Sequence, residues 1–261
     1  MRLLVTRPQR EAQDWVRELE AAGLSAQALP LIAILPAPDP AAVRQAWASL
    51  GRYRGVMFVS ANAVDGFFAE RPAHAAGFDA AGMPRVWVPG PGSRQALLRA
   101  GVPASCIDAP PADAAQFDSE ALWQVMGPQV GPGTQVLLVR GADGDSAGNS
   151  GSGRDWFTQQ VRAAGGRVDF LVTYRRARPV LDTAQLALAR AAALDGSVWL
   201  FSSSEAVHNL QDGLPGQDWR GARAIATHAR IAEAASRAGF GQVLQVRPAL
   251  PDILASIESL S

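Results

Sequence analysis

Hydroxyls and guanidinium groups are the side chains of this sequence best placed to do chemistry. Ser60, Asn62, Ser202 and Ser204 each follow a short apolar run and open a helical pattern. A helix start leaves backbone N–H groups unpaired, so a hydroxyl or amide beside them can either cap the helix or help cradle an anion. Capping is the commoner role. Ser93 closes the turn Arg85-Val86-Trp87-Val88-Pro89-Gly90-Pro91-Gly92-Ser93, a strand, a glycine-rich bend and a helix start. That order resembles a dinucleotide fingerprint, with Asp108 near the spacing of its ribose-binding acid, but Gln95 stands where the third glycine belongs. Arg7, Arg140, Arg154, Arg175 and Arg176 fall at or near predicted strand ends, where open α/β sheets bind ligands. Five guanidinium forks in such positions suit a polyanion, carboxylate above all.

Two further motifs fail on their own chemistry. Gly144-Asp145-Ser146-Ala147-Gly148 has the GxSxG spacing of a hydrolase elbow, yet its serine lies in a glycine-rich stretch well past the preceding strand. Asp143 and Asp145 begin a calcium-loop pattern, but Ala147 and Arg154 occupy the positions of later oxygen ligands.

Composition excludes more. The chain has 261 residues, zero formal net charge and no lysine, so all 24 basic residues are arginine. Imine chemistry and a GxxxxGK[ST] phosphate loop both need a lysine. One cysteine, Cys106, and three histidines, His74, His208 and His228, rule out an intrachain disulfide or a thiolate zinc cluster. Zero net charge argues against a nucleic-acid partner. No apolar run approaches the roughly 20 residues that span a bilayer. The N-terminus reads as a strand rather than a signal peptide, and with the lone cysteine this predicts a cytoplasmic protein.

The elements that must hold these groups alternate. Strands are predicted at Leu3–Thr6, Val56–Val59, Val86–Val88, Val136–Val139, Val168–Val172, Val198–Phe201 and Ala222–Ala226. Amphipathic stretches such as Gln9–Ala22, Ser93–Ala100 and Ala229–Ala238 separate them, several ending at the glycine that favours a helix cap. Such alternation implies βαβ units, so the fold class is α/β with parallel sheets. Phe58-Val59-Ser60-Ala61-Asn62-Ala63-Val64 is echoed by Phe201-Ser202-Ser203-Ser204-Glu205-Ala206-Val207, which suggests two similar domains. Extended, proline-bounded segments near 29–36 and 171–179 read as crossings between them. The expected organisation is domain 1 over 1–35 and 178–261, with domain 2, 36–174, inserted into it.

Taken together and in order, these motifs resemble the uroporphyrinogen-III synthase family. The resemblance rests on Leu4-Val5-Thr6-Arg7-Pro8, Leu29-Pro30-Leu31-Ile32, the Phe58 and Phe201 segments, Val139-Arg140-Gly141 and Tyr174-Arg175-Arg176. One departure is the turn His228-Ala229-Arg230-Ile231-Ala232, which lacks the family's glycine and threonine, although Thr227 precedes it. The resemblance implies two parallel-sheet domains joined by a two-stranded ladder. It also implies a monomer that needs no metal or organic cofactor and cyclises a linear tetrapyrrole. Tyr174 would then assist departure of the substrate hydroxyl. Ser60, Asn62, Ser93, Ser202, Ser204 and Thr227 would hold carboxylates, with Arg7, Arg140 and Arg154 as further partners. The competing expectation is a non-catalytic two-domain module that binds an anion or a tetrapyrrole.

Overall fold

A computed structural model describes the chain apart from residues 112, 115, 143–151, 248 and 259–261, with backbone alone at 152–154 and 258. The GxSxG and calcium-like motifs therefore lie outside the described residues. The chain divides into two compact units, Met1–Ala33 with Ala177–Ser261, and Ile34–Arg176.

The first unit opens with β1 (Arg2–Val5), α1 (Gln9–Ala21) and β2 (Ser25–Ala28). The second unit follows with β3 (Ala33–Pro36), α2 (Pro40–Ala48), β4 (Gly55–Phe58), α3 (Ala61–Ala69), β5 (Arg85–Trp87) and α4 (Pro91–Arg99). It continues through β6 (Ile107–Asp108), α5 (Ser119–Met126), β7 (Gln135–Gly141), α6 (Ser152–Ala163) and β8 (Arg167–Ala177). The chain then completes the first unit with α7 (Thr183–Ala192), β9 (Val198–Phe201), α8 (Ser204–Gly213), β10 (Arg223–Ala226), α9 (Ala229–Arg237), β11 (Gln242–Gln245) and α10 (Leu250–Glu258).

In the first unit the strand order is β11-β10-β9-β1-β2, and every neighbouring pair is parallel. Leu3, Leu4 and Val5 are fully buried because β1 is central and covered on both faces, which is why it reads as an unbroken apolar run. Trp199, Phe201, Trp219 and Phe240 form one aromatic cluster, with Trp219 and Phe240 stacked at 5.3 Å.

In the second unit the order is β3-β8-β7-β4-β5-β6, parallel from β8 through β6. Side chains alternate across this sheet as a period of two requires. Val56, Phe58, Leu137 and Val139 meet Val43, Trp47, Phe67 and Leu97 of α2, α3 and α4. Met57, Val136 and Leu138 meet Leu122, Met126, Phe157 and Val161 of α5 and α6 on the other face. Among the described residues, no helix is long and apolar enough to cross a membrane.

Candidate active site

In the second unit, β4, β5 and β7 run parallel, so the residues after them collect at one sheet edge. Ser60 leaves β4 in extended backbone and caps α3, its Oγ accepting from the Ala63 N–H at 3.1 Å. The same Oγ lies 3.2 Å from the hydroxyl of Tyr174 on β8, a side chain only 8% exposed. Asn62 is the second residue of α3 and is half-buried. Ser93, buried, is the third residue of α4, whose cap is Gly90 and whose first turn carries no capping side chain. Arg140, on β7, sets its guanidinium over the Phe170 ring at 5.2 Å from the centroid. Arg154 belongs to the first turn of α6 rather than to a strand end, and its side chain lies outside the described residues.

The first unit repeats this layout at the C-terminal edge of its own sheet. Arg7, two residues past β1, reaches Glu11 Oε2 at 3.4 Å and lies over the Trp15 ring at 4.8 Å. Burial pulls its pKa down from the ordinary arginine value, and Glu11 offsets part of that. Thr227 follows β10, its N–H donating to the Phe201 carbonyl at 3.1 Å. Ser204 is the first residue of α8 and its hydroxyl sits 3.5 Å from the Arg230 carbonyl.

One placement differs from expectation. Ser202 does not begin a helix; Ser203 is the N-cap of α8, although its side chain does not close the cap. Ser203 holds the position that Ser60 holds in the echoed segment, so the echo itself was the signal for it. The turn that lacks the family's glycine and threonine starts the helix expected from Ala229, with His228 capping α9 through Nδ1, which accepts from the Arg230 N–H at 3.2 Å. Asp108, near the spacing of a ribose-binding acid, is engaged by protein donors. It accepts from Arg85 Nε at 3.1 Å, Trp87 Nε1 at 3.1 Å and Gln129 Nε2 at 3.0 Å. Burial raises this carboxyl, but those donors outweigh it and hold the pKa below the usual value. This acid is thus committed to β5 and to Gln129.

What remains is two edges of hydroxyls and helix N-termini suited to anions, one of which also carries a buried phenol. The family model described as uroporphyrinogen-III synthase HemD matches residues 13–255. The chain belongs to the uroporphyrinogen-III synthase family. This is a family of cyclising hydro-lyases of porphyrin biosynthesis, and membership does not favour the alternative of a non-catalytic module. Among solved structures, uroporphyrinogen-III synthetase from Helicobacter pylori is 14% identical, with 100% of both chains covered and a TM-score of 0.55. A mutant uroporphyrinogen III synthase from the extremely thermophilic bacterium Thermus thermophilus is 16% identical, covering 100% of this chain and 98% of that one at a TM-score of 0.50. At those identities the likeness is one of fold, and it agrees with the two-sheet α/β architecture of this member of the synthase family.

Proposed function

We propose that this protein closes linear hydroxymethylbilane to uroporphyrinogen III, inverting the terminal D pyrrole ring with loss of water. The family match across residues 13–255 carries this reading. Loss of the substrate hydroxyl leaves a cationic azafulvene, which the terminal ring attacks through its substituted carbon. The resulting spiro intermediate fragments and recloses with that ring turned round. Because the substrate is already activated, the protein's main task is to hold the chain so that spiro attack beats direct closure to the symmetric isomer.

In this reading Tyr174 donates a proton or a hydrogen bond to the leaving hydroxyl. The neighbouring Ser60 Oγ, 3.2 Å away, supports the role because it gives the phenol a partner that can accept or donate as the proton moves. Ser60, Asn62, Ser93, Ser202, Ser204 and Thr227, with the N–H groups of their helices, bind carboxylates. Arg7, Arg140 and Arg154 add positive charge. The two compact units would be the two domains of the enzyme, the second inserted into the first. The reading further takes the protein to be a cytoplasmic monomer without metal or organic cofactor.

The test is to incubate the protein with enzymatically made hydroxymethylbilane, oxidise the products and measure the ratio of type III to type I porphyrin. Type III should dominate. A ratio equal to the protein-free control would overturn the proposal.

A further inference from the structure

We infer that Gly141 is a positioning residue for the Tyr174 phenol, acting through a bulge in β8; the inference rests on the role proposed for Tyr174. The pairing of β7 with β8 runs one for one from Gln135 opposite Arg167 to Arg140 opposite Val172, then jumps to Gly141 opposite Tyr174. Thr173 is the extra residue. Bulges are rare between parallel strands, and where they occur they re-aim side chains.

In an unbroken strand, Leu171 and Thr173 would share one face and Tyr174 would point to the other. Instead all three address the same side. Leu171 and Tyr174 lie in one core cluster with Val64 and Phe67 of α3. The Thr173 hydroxyl donates to the Ala63 carbonyl of α3 at 3.1 Å, while the Tyr174 hydroxyl reaches Ser60 at the cap of the same helix. The bulge is therefore what brings the phenol to α3.

Gly141 supplies the room. A Cβ on that residue would lie 2.6 Å from Tyr174 Cζ and 2.9 and 3.0 Å from the two Cε atoms, well inside the roughly 3.5 Å of ordinary carbon contact. Those three atoms are the hydroxyl-bearing end of the ring. The Ala142 N–H donating to the Tyr174 carbonyl at 2.8 Å holds the two backbones in this register. The glycine of Val139-Arg140-Gly141 and the tyrosine of Tyr174-Arg175-Arg176 thus form one device.

Since the chain has only two tyrosines, Tyr53 and Tyr174, protein labelled with carbon-13 at tyrosine Cζ gives one resonance from each. Tyr53→Phe assigns them. Gly141→Ala should move the Tyr174 resonance and leave that of Tyr53, while kcat for type III product falls by about a hundredfold with KM little changed. Combined with Tyr174→Phe, it should add little further loss of kcat. An unmoved Tyr174 resonance overturns the inference. A moved resonance with unchanged turnover overturns the acid role of Tyr174 and leaves the placement of its ring by Gly141 standing. Should Gly141→Ala fail to fold, Thr173→Val removes only the hydroxyl that ties the bulge to Ala63; the Tyr174 resonance should again move, and its constancy would refute the device.

Discussion

Arg85 and Asp108 form a two-pronged ion pair across neighbouring strands, Nε donating to one carboxylate oxygen at 3.1 Å and Nη2 to the other. The carboxylate, 14% exposed, also receives the indole of fully buried Trp87. It therefore ties the short edge strand β6 to β5.

Asp108→Asn should destabilise the protein near neutral pH by roughly 1–3 kcal/mol, the range for a buried polar group that loses a partner. The carboxyl has a folded pKa held below its unfolded value of about 4, so its contribution is present above that pH. It is lost as pH falls through the folded value. Urea unfolding of both proteins across the acid range should show the difference shrinking there; a difference independent of pH would count against the assignment.

Tyr174→Phe removes one oxygen from a buried ring and nothing else. If that oxygen assists departure of the substrate hydroxyl, kcat for type III product should fall by about a hundredfold or more while the fold is kept. Full turnover in a coupled assay, with an unchanged isomer ratio, would remove Tyr174 from the chemistry.

Ser60 serves two partners, and two substitutions separate them. Ser60→Ala loses both the α3 cap and the Tyr174 contact, and the cap alone is worth about 1 kcal/mol. Ser60→Gly also loses the contact, but a glycine cap costs only a few tenths of that. Equal losses of activity with unequal losses of stability are expected; activity that tracked stability would mean that Ser60 is a cap and no more.

Gly66→Ala should reverse the usual sign. Alanine in a helix interior normally gains about 1 kcal/mol over glycine. At Gly66, however, a Cβ would lie 2.3 Å from the backbone oxygen of Thr173, so α3 could not keep its seat against the β8 bulge. Chemical denaturation should give a loss of roughly 1–3 kcal/mol, as overpacking does. A stabilised variant would show that helix and strand can part there at little cost.

Central strands such as Leu3–Val5 and Val198–Phe201 were legible because burial on both faces leaves a continuous apolar run. Edge strands were not. Ser25–Ala28 and Gln242–Gln245 are partly exposed and carry polar residues, so backbone pairing with a neighbour is what makes them strands. The site was legible where local order sets it, as at the Ser60 cap. It was illegible where register sets it: Gly141 and Tyr174 are opposite each other only because of the extra residue Thr173, and no pattern along one strand reveals a bulge against another. The partners of Asp108 were illegible for a related reason, since they lie 21 and 23 residues away.

The first unit's sheet has a consequence for the order in which the protein matures on the ribosome. β1 and β2 are made before the second unit, yet the other neighbour of β1 is β9, which follows that unit, with Leu3 opposite Val198. The β1–β2 pair must wait, half-covered, while the whole second unit is synthesised. Stalling translation before β9 emerges should leave a protease-resistant second unit and an N-terminal segment still open to cleavage.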